Sequence, residues 1–423
     1  MNEQSDFERY IADQLGSAAV GTPPASAIED TIARAGGSRR LPEWLVLIKE
    51  SPMRMNSHVA VGSPIAQVMA IVAATLLLAV ALAAAGAGAQ RLLAAGPIVV
   101  AQDGSGDYAT INEAVAVAQD GDEILVKPGT YVGSVLIDKD VTLRGDGTRE
   151  DVILEFTADG PTIPSWGVPA PYGVMLVDTE AAISDLTVRG PNIAAAFVFV
   201  GGAPTLENVA NELEGDFSGD PHTSVAVVHG AGGTIRDSLL DGPVFDFSGQ
   251  RIPGYEDISG SGLFVAEDNA LDVGFGLDVT DGSTFLRNTI TDDGGLDLGG
   301  TGTVLVEGND AGYIELRGGT DGFVIQDNLV REGGIVLGPG TATVEGNVVT
   351  GAQVGIQVAR GASPTITGNL LEGTAIGILI DAAESAAVIE DNRFCGNDRN
   401  LVVDGSEAQL DPSNEVCDSS GSE

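Results

Sequence analysis

The side chains that could carry chemistry are few, and most interrupt an otherwise regular chain. Asp246, Arg251 and Asp257 fall in one irregular stretch, 243–261, with Tyr255 and Glu256 beside them. Asp292 and Asp293 are adjacent further on. Paired carboxylates can act on a glycosidic bond, one protonating the leaving oxygen while the other activates water or attacks. These five residues are the candidate catalytic set, with no role assigned to any one of them. Trp166, Tyr172, His222 and Tyr255 are candidate substrate contacts, because flat rings stack on sugar faces. The bland alternative is that His222 and His229 are ordinary surface residues on decorative loops. With three His and two Cys in the chain, a Cys/His zinc site has too few ligands, and no metal site is assigned.

These residues sit in three excursions, 159–172, 212–223 and 243–261, which break the early part of a repeat. After residue 280 the repeat is clean. An aliphatic-x-x-Asn unit recurs with Asn288, Asn309, Asn328, Asn347, Asn369 and Asn392, spaced 21, 19, 19, 22 and 23 residues apart. Weaker copies are Ile183-Ser184-Asp185 and Ile235-Arg236-Asp237. A second short strand often follows, as at Gly355-Ile356-Gln357-Val358 and Gly377-Ile378-Leu379-Ile380. A fixed period near 20 built from short strands and Gly/Asn turns is a solenoid signature. Leucine-rich repeats do not fit, since Leu does not recur at their spacing, and propeller blades need about twice the period. The expected fold is an all-β parallel β-helix, each unit one coil of three short strands stacked ~4.8 Å from the next.

In such a coil the repeated Asn is expected at the turn, in the left-handed region, its amide bonding the Asn of the next coil. The six Asn are therefore read as a structural ladder. The acids beside them (Glu307, Asp327, Glu345, Glu390 and Asp391) read as a solvated face. Ca²⁺, which takes oxygen ligands, is the alternative and the only cofactor the sequence suggests. An open solenoid also needs caps. Thr110-Ile111-Asn112-Glu113 is a capping box that opens a helix over about 111–119, fit to plug the N-terminal end. The first strands are expected at 123–127 and 141–144. Cys395 and Cys417 lie about one coil apart. A disulfide there would tie the C-terminal strap to the last coil, and two free thiols are the alternative.

Charge and hydropathy divide the chain. The net charge is −41, which excludes nucleic acid as a partner and disfavours anionic lipid headgroups. Residues 1–63 are a polar tail. Residues 65–89 carry no charge and are rich in Ala, Val, Leu and Ile, long enough for a helix to cross ~30 Å of hydrocarbon. Residues 64–90 are thus read as a transmembrane signal anchor, the partner being the membrane. A cleaved signal peptide and a buried soluble helix are the alternatives. Arg39, Arg40, Lys49 and Arg54 precede the span, and Arg91 alone follows it before Lys127. That bias puts the N-terminus in the cytoplasm and residues 97–417 outside, in a single-pass arrangement. Residues 418–423 read as a disordered C-terminus.

The run from Ile98-Val99-Val100-Ala101-Gln102-Asp103-Gly104-Ser105-Gly106-Asp107-Tyr108, through Lys127-Pro128-Gly129-Thr130-Tyr131, to Val141-Thr142-Leu143-Arg144-Gly145-Asp146-Gly147 resembles the opening of pectin-lyase-like proteins. It is most similar to pectin methylesterases and to right-handed parallel β-helix repeat proteins. With the repeats, the likeness covers roughly 98–417 and implies a right-handed parallel β-helix. The catalytic motifs of such enzymes do not carry over. Val244-Phe245-Asp246-Phe247-Ser248-Gly249 is faintly similar to one methylesterase Asp motif, but its Gln-Asp-Thr-Leu and Leu-Gly-Arg-Pro-Trp partners are missing. Asp292-Asp293-Gly294-Gly295 supplies paired acids without the Gly-His-Gly and Arg-Ile-Lys of polygalacturonases. Arg251 sits near Asp246, Glu256 and Asp257 without a pectate-lyase motif. The expected function is a membrane-anchored extracytoplasmic binding or structural module for polysaccharide or cell-envelope material. The alternative is a polysaccharide lyase, glycoside hydrolase or carbohydrate esterase.

Overall fold

A computed structural model describes residues 96–165, 168–191, 195–214, 223–247, 262–291, 293–382 and 385–417, all within the unit Ala89–Glu423. The proposed tail, the span at 64–90 and the terminus 418–423 lie outside these. Among the described residues no helix is long and apolar enough to cross a membrane.

Three ladders of parallel strands form the faces of a solenoid. The first face is a 13-stranded sheet that runs from Ile98–Val100 to Val388–Glu390 in strict coil order. Its strands are short because each shows one or two side chains to the interior before the chain turns. The inward column reads Ile124, Leu143, Ile183, Leu206, Ile235, Ala266, Phe285, Val306, Ile325, Val344 and Ile366. These positions are fully buried, and stacking like on like removes each from water without a gap between coils. A second face starts at Gly129–Val132 and a third at Val135–Ile137. Asp310–Arg317 and Leu329–Leu337 run from one to the other without a break, bulging after Ala311.

A seven-residue helix, α1 (Ile111–Val117), turns Ile111, Ala114 and Val115 onto the first coil. Its capping box is complete: Glu113 N–H donates to Thr110 Oγ1 at 3.3 Å, and Thr110 N–H to Glu113 Oε2 at 3.2 Å. The helix ends two residues short of expectation because Ala118 turns extended. Lys139 Nζ then caps it, donating to the carbonyls of Val115, Ala116 and Ala118 at 2.8, 3.2 and 2.8 Å. The first strand is Ile98–Val100, one coil earlier than the sequence suggested, paired with Ile124, Leu125 and Val126.

The ladder is one column of amides. Nδ2 of Asn288, Asn309, Asn328, Asn347 and Asn369 each donates 2.9 Å to Oδ1 of the next Asn, ending on Asn392. The same Oδ1 accepts the preceding Asn's backbone N–H, as from Asn328 to Asn347 at 3.0 Å. The other Nδ2 hydrogen goes to a carbonyl one coil back, as from Asn347 to Ile325 at 2.8 Å. Asn269 begins the column, Asn414 ends it, and Ser238 prefixes it, its N–H donating to Asn269 Oδ1. The left-handed residue is not the Asn, as expected, but its predecessor: Asp268, Arg287, Gly308, Asp327, Gly346, Gly368 and Asp391 have φ between 54° and 67°. The amide must point inward along the column, so the sharp turn falls one residue earlier.

At the far end, Arg399–Val403 folds into an antiparallel pair with Ser406–Glu407, and Cys395 and Cys417 are disulfide-bonded. The excursion at 159–172 contains an antiparallel hairpin, Thr162–Ser165 against Val168–Val177. From it Ile163 packs on a second apolar cluster outside the third face, with Met175, Val198 and Ala226.

Candidate functional site: an aromatic cleft on the third face

Where that outer apolar cluster ends, the strand Val244–Asp246 sends Phe245 outward, and Phe247 follows it. Their rings meet edge-on, centroids 5.4 Å apart. The next coils offer glycine beneath the aromatic rings: Gly276 is the register partner of Phe245, and Gly295 that of Tyr313. A Cβ on either glycine would come within 2.7 Å of the ring it faces. The aromatic rings therefore lie on bare backbone. With Thr223, Pro243, Val273 and Asp297 they line a cleft of about 290 Å³. Thr223 is 4 % exposed and makes no side-chain hydrogen bond among the described residues, so its hydroxyl is a ready donor or acceptor on the cleft wall.

The charged groups are mostly acidic. Asp297 Oδ1 lies 2.6 Å from Arg317 Nε, and Arg317 Nη2 lies 3.4 Å from Asp278 Oδ1. Glu315 is the register partner of Asp297. Burial first, then the charges of Asp297 and Glu315, push the Tyr313 phenol above its usual range. Behind the rim, Asp241 and Asp272 share a site just before the wall residues Pro243 and Val273. Asp272 Oδ1 accepts the Gly242 N–H at 2.5 Å. Asn211, itself buried, donates to the Asp241 carbonyl at 2.9 Å and accepts the Asp241 N–H at 3.1 Å. Burial, then the hydrogen bond and charge of Asp272, push Asp241 up to about 6.

Of the candidates named from sequence, Asp246 is half-buried at an inward register position of the strand that bears Phe245. Asp293 is exposed two residues before Gly295. Tyr172 is only 5 % exposed inside the outer apolar cluster and offers no open ring face. Arg251, Asp257, Asp292, Trp166, His222 and Tyr255 lie outside the described residues. Among the described residues no group of three or more His, Cys, Asp or Glu is placed to hold a metal ion. Glu307, Glu345 and Glu390 occupy every second coil of one outer column, with Gln326 and Thr367 between them. That alternation keeps like charges from facing each other directly. Sequence reasoning missed Thr223, Phe245, Phe247, Asp297, Tyr313 and the Asp241–Asp272 pair.

Residues 259–415 match a family described as periplasmic copper-binding protein (NosD), and residues 97–166 match the pectinesterase family. A curated pectinesterase 3 of Solanum lycopersicum is 42 % identical over 76 residues, 16 % of this chain and 14 % of that protein. The chain thus spans about a seventh of the length of the curated relative it matches. Similar solved structures include a GH136 lacto-N-biosidase from Eubacterium ramulus and a mannuronan C-5 epimerase A-module from Azotobacter vinelandii. The first has TM-score 0.48 and 12 % identity, covering 78 % of this chain and 69 % of the other. The second has TM-score 0.44 and 14 % identity, covering 72 % and 92 %. A pectin methylesterase from Erwinia chrysanthemi has TM-score 0.33 and 11 % identity, covering 77 % and 94 %. The fold is the right-handed parallel β-helix of the pectin-lyase-like proteins. Copper is not supported by the residues present. The matched stretch has no His and no Met, and its one Cys is in the disulfide. The imidazole, thioether and thiolate ligands that copper favours are therefore missing there.

Proposed function

We propose that this chain is an extracytoplasmic polysaccharide-binding module, held to the membrane by residues 64–90 with 1–63 in the cytoplasm. The aromatic cleft is the observation that carries the reading. Rings packed against glycines present apolar surface beside hydroxyl and carboxylate groups, the mixture a sugar ring requires. The disulfide and the periplasmic description of the matching family support an oxidising, extracytoplasmic setting. The cleft is tested by titrating the full-length chain with hexasaccharides of neutral, cationic and anionic character, native against Phe245→Ala. Saturable binding weakened by the substitution supports the reading, and no binding by the native chain sinks it. The topology is tested with a reporter active only outside the membrane. It should work when fused after residue 120 and fail at residue 50, and the reverse pattern overturns the orientation.

A second reading, a polysaccharide-active enzyme, draws support from the Asp241–Asp272 pair. A carboxyl that keeps its proton to about 6, as Asp241 does beside Asp272, is equipped for general acid work. Release of reducing or unsaturated ends from glycans, lost in Asp272→Asn, would establish it. Uniform silence with retained binding would leave the module.

A further inference from the structure

Resting on the polysaccharide reading above, we infer that the cleft selects chains bearing free amines, such as deacetylated hexosamine polymers, over uronate chains. Among the described residues Asp297 is the one Asp, Glu, Lys, Arg or His on the cleft wall, and Glu315 and Asp278 flank it on the same outer face. Among the described residues around it, the single cation is Arg317, already shared between Asp297 and Asp278. The described surroundings therefore hold more negative than positive charge, on a chain whose net charge is −41. A carboxylate-bearing sugar would enter against this field, whereas an ammonium would exchange its water for Asp297 and Glu315. Thr223, 4 % exposed and without a side-chain hydrogen bond among the described residues, offers its hydroxyl to a ligand hydroxyl or amine.

The test uses three hexamers of matched length: glucosamine, N-acetylglucosamine and galacturonate. Each is titrated calorimetrically into the full-length chain at pH 6 and low salt. The glucosamine hexamer should bind about tenfold tighter than its acetylated counterpart, and galacturonate weakest. Raising the salt should erode the first difference. Asp297→Asn should collapse the preference between the amine and acetylated oligomers, and Glu315→Gln should reduce it. Equal affinity for the amine and acetylated hexamers would overturn the amine preference while leaving polysaccharide binding intact. Tightest binding of galacturonate would overturn it outright. No binding of any of the three would remove both this inference and the function on which it rests.

Discussion

The ring of Phe245 lies across Gly276, its register partner on the next coil, so closely that a Cβ there would sit 2.7 Å from the ring's Cδ2. A methyl group at 276 must lift the ring or bend the strand. Gly276→Ala should therefore cost ~1–3 kcal/mol of stability and weaken glycan binding with it. Gly405→Ala is the control for a turn glycine. Nothing lies within 4 Å of its added Cβ, and its φ of 75° confines any cost to local strain. A thermal melt of the two variants and a hexasaccharide titration check this. Equal glycan affinity in Gly276→Ala and the native chain would mean the ring is not part of the binding surface.

The coil architecture was legible in the sequence because each coil repeats the same two demands, an inward aliphatic residue and an inward Asn. Where one demand is met differently, the pattern disappears from view. Asn269 was missed because Ala266 stands where Phe285 or Val306 stands in later coils. Asn414 was missed because Asp411, in a turn, precedes it where a strand residue usually lies. The cleft was invisible for another reason. Phe245 over Gly276 and Tyr313 over Gly295 exist only once the coils are in register, and register depends on the length of the irregular excursions. The same holds for Asp241 and Asp272, which meet only through stacking.

The Asn column predicts an uneven cost along the rod. Asn347→Ala removes the Oδ1 that accepts both the N–H and the Nδ2 of Asn328, and the donor that satisfies the Ile325 carbonyl. Those groups are buried, so the loss should be ~1–3 kcal/mol for each one left unsatisfied. Asn414→Ala leaves Asn392 short of the same acceptor, but at a half-buried end that water reaches, and should cost less. Glu345→Ala, on the exposed outer column, should stay within ~0.5 kcal/mol. Hydrogen exchange should quicken around residue 347 and not at α1, because coils couple mainly to their neighbours. Equal melting temperatures for Asn347→Ala and Glu345→Ala would contradict the ladder's role.

At the other end, Lys139→Met should loosen α1 while leaving the coils intact. The ammonium spends three donors on the carbonyls of Val115, Ala116 and Ala118, and it is a positive charge at the helix C-terminus. Losing it should cost ~1–2 kcal/mol. Amide exchange within 111–117 should accelerate. Protection in the coils past residue 280 should not change. Unaltered exchange in the helix would show that the capping box and the buried face of Ile111 and Val115 hold it alone.

The Asp241–Asp272 pair fixes the direction of one pH effect. Folding raises Asp241 from its ordinary 3.8 to about 6, so between these values the folded chain holds a proton that the unfolded chain has released. Stability from this site is therefore fully present below about 3.8, declines as pH rises, and is lost through about 6. Because Asp241 is only partly buried, the effect should be on the order of 1 kcal/mol after solvent screening. Asp241→Asn keeps a hydrogen-bonding group opposite Asp272 but cannot ionise. Between pH 5 and 7 the variant should lose less stability than the native chain, by about that amount. Urea unfolding at several pH values reads it directly. A native chain and variant whose stabilities run parallel across that interval would mean that the two carboxyls titrate independently.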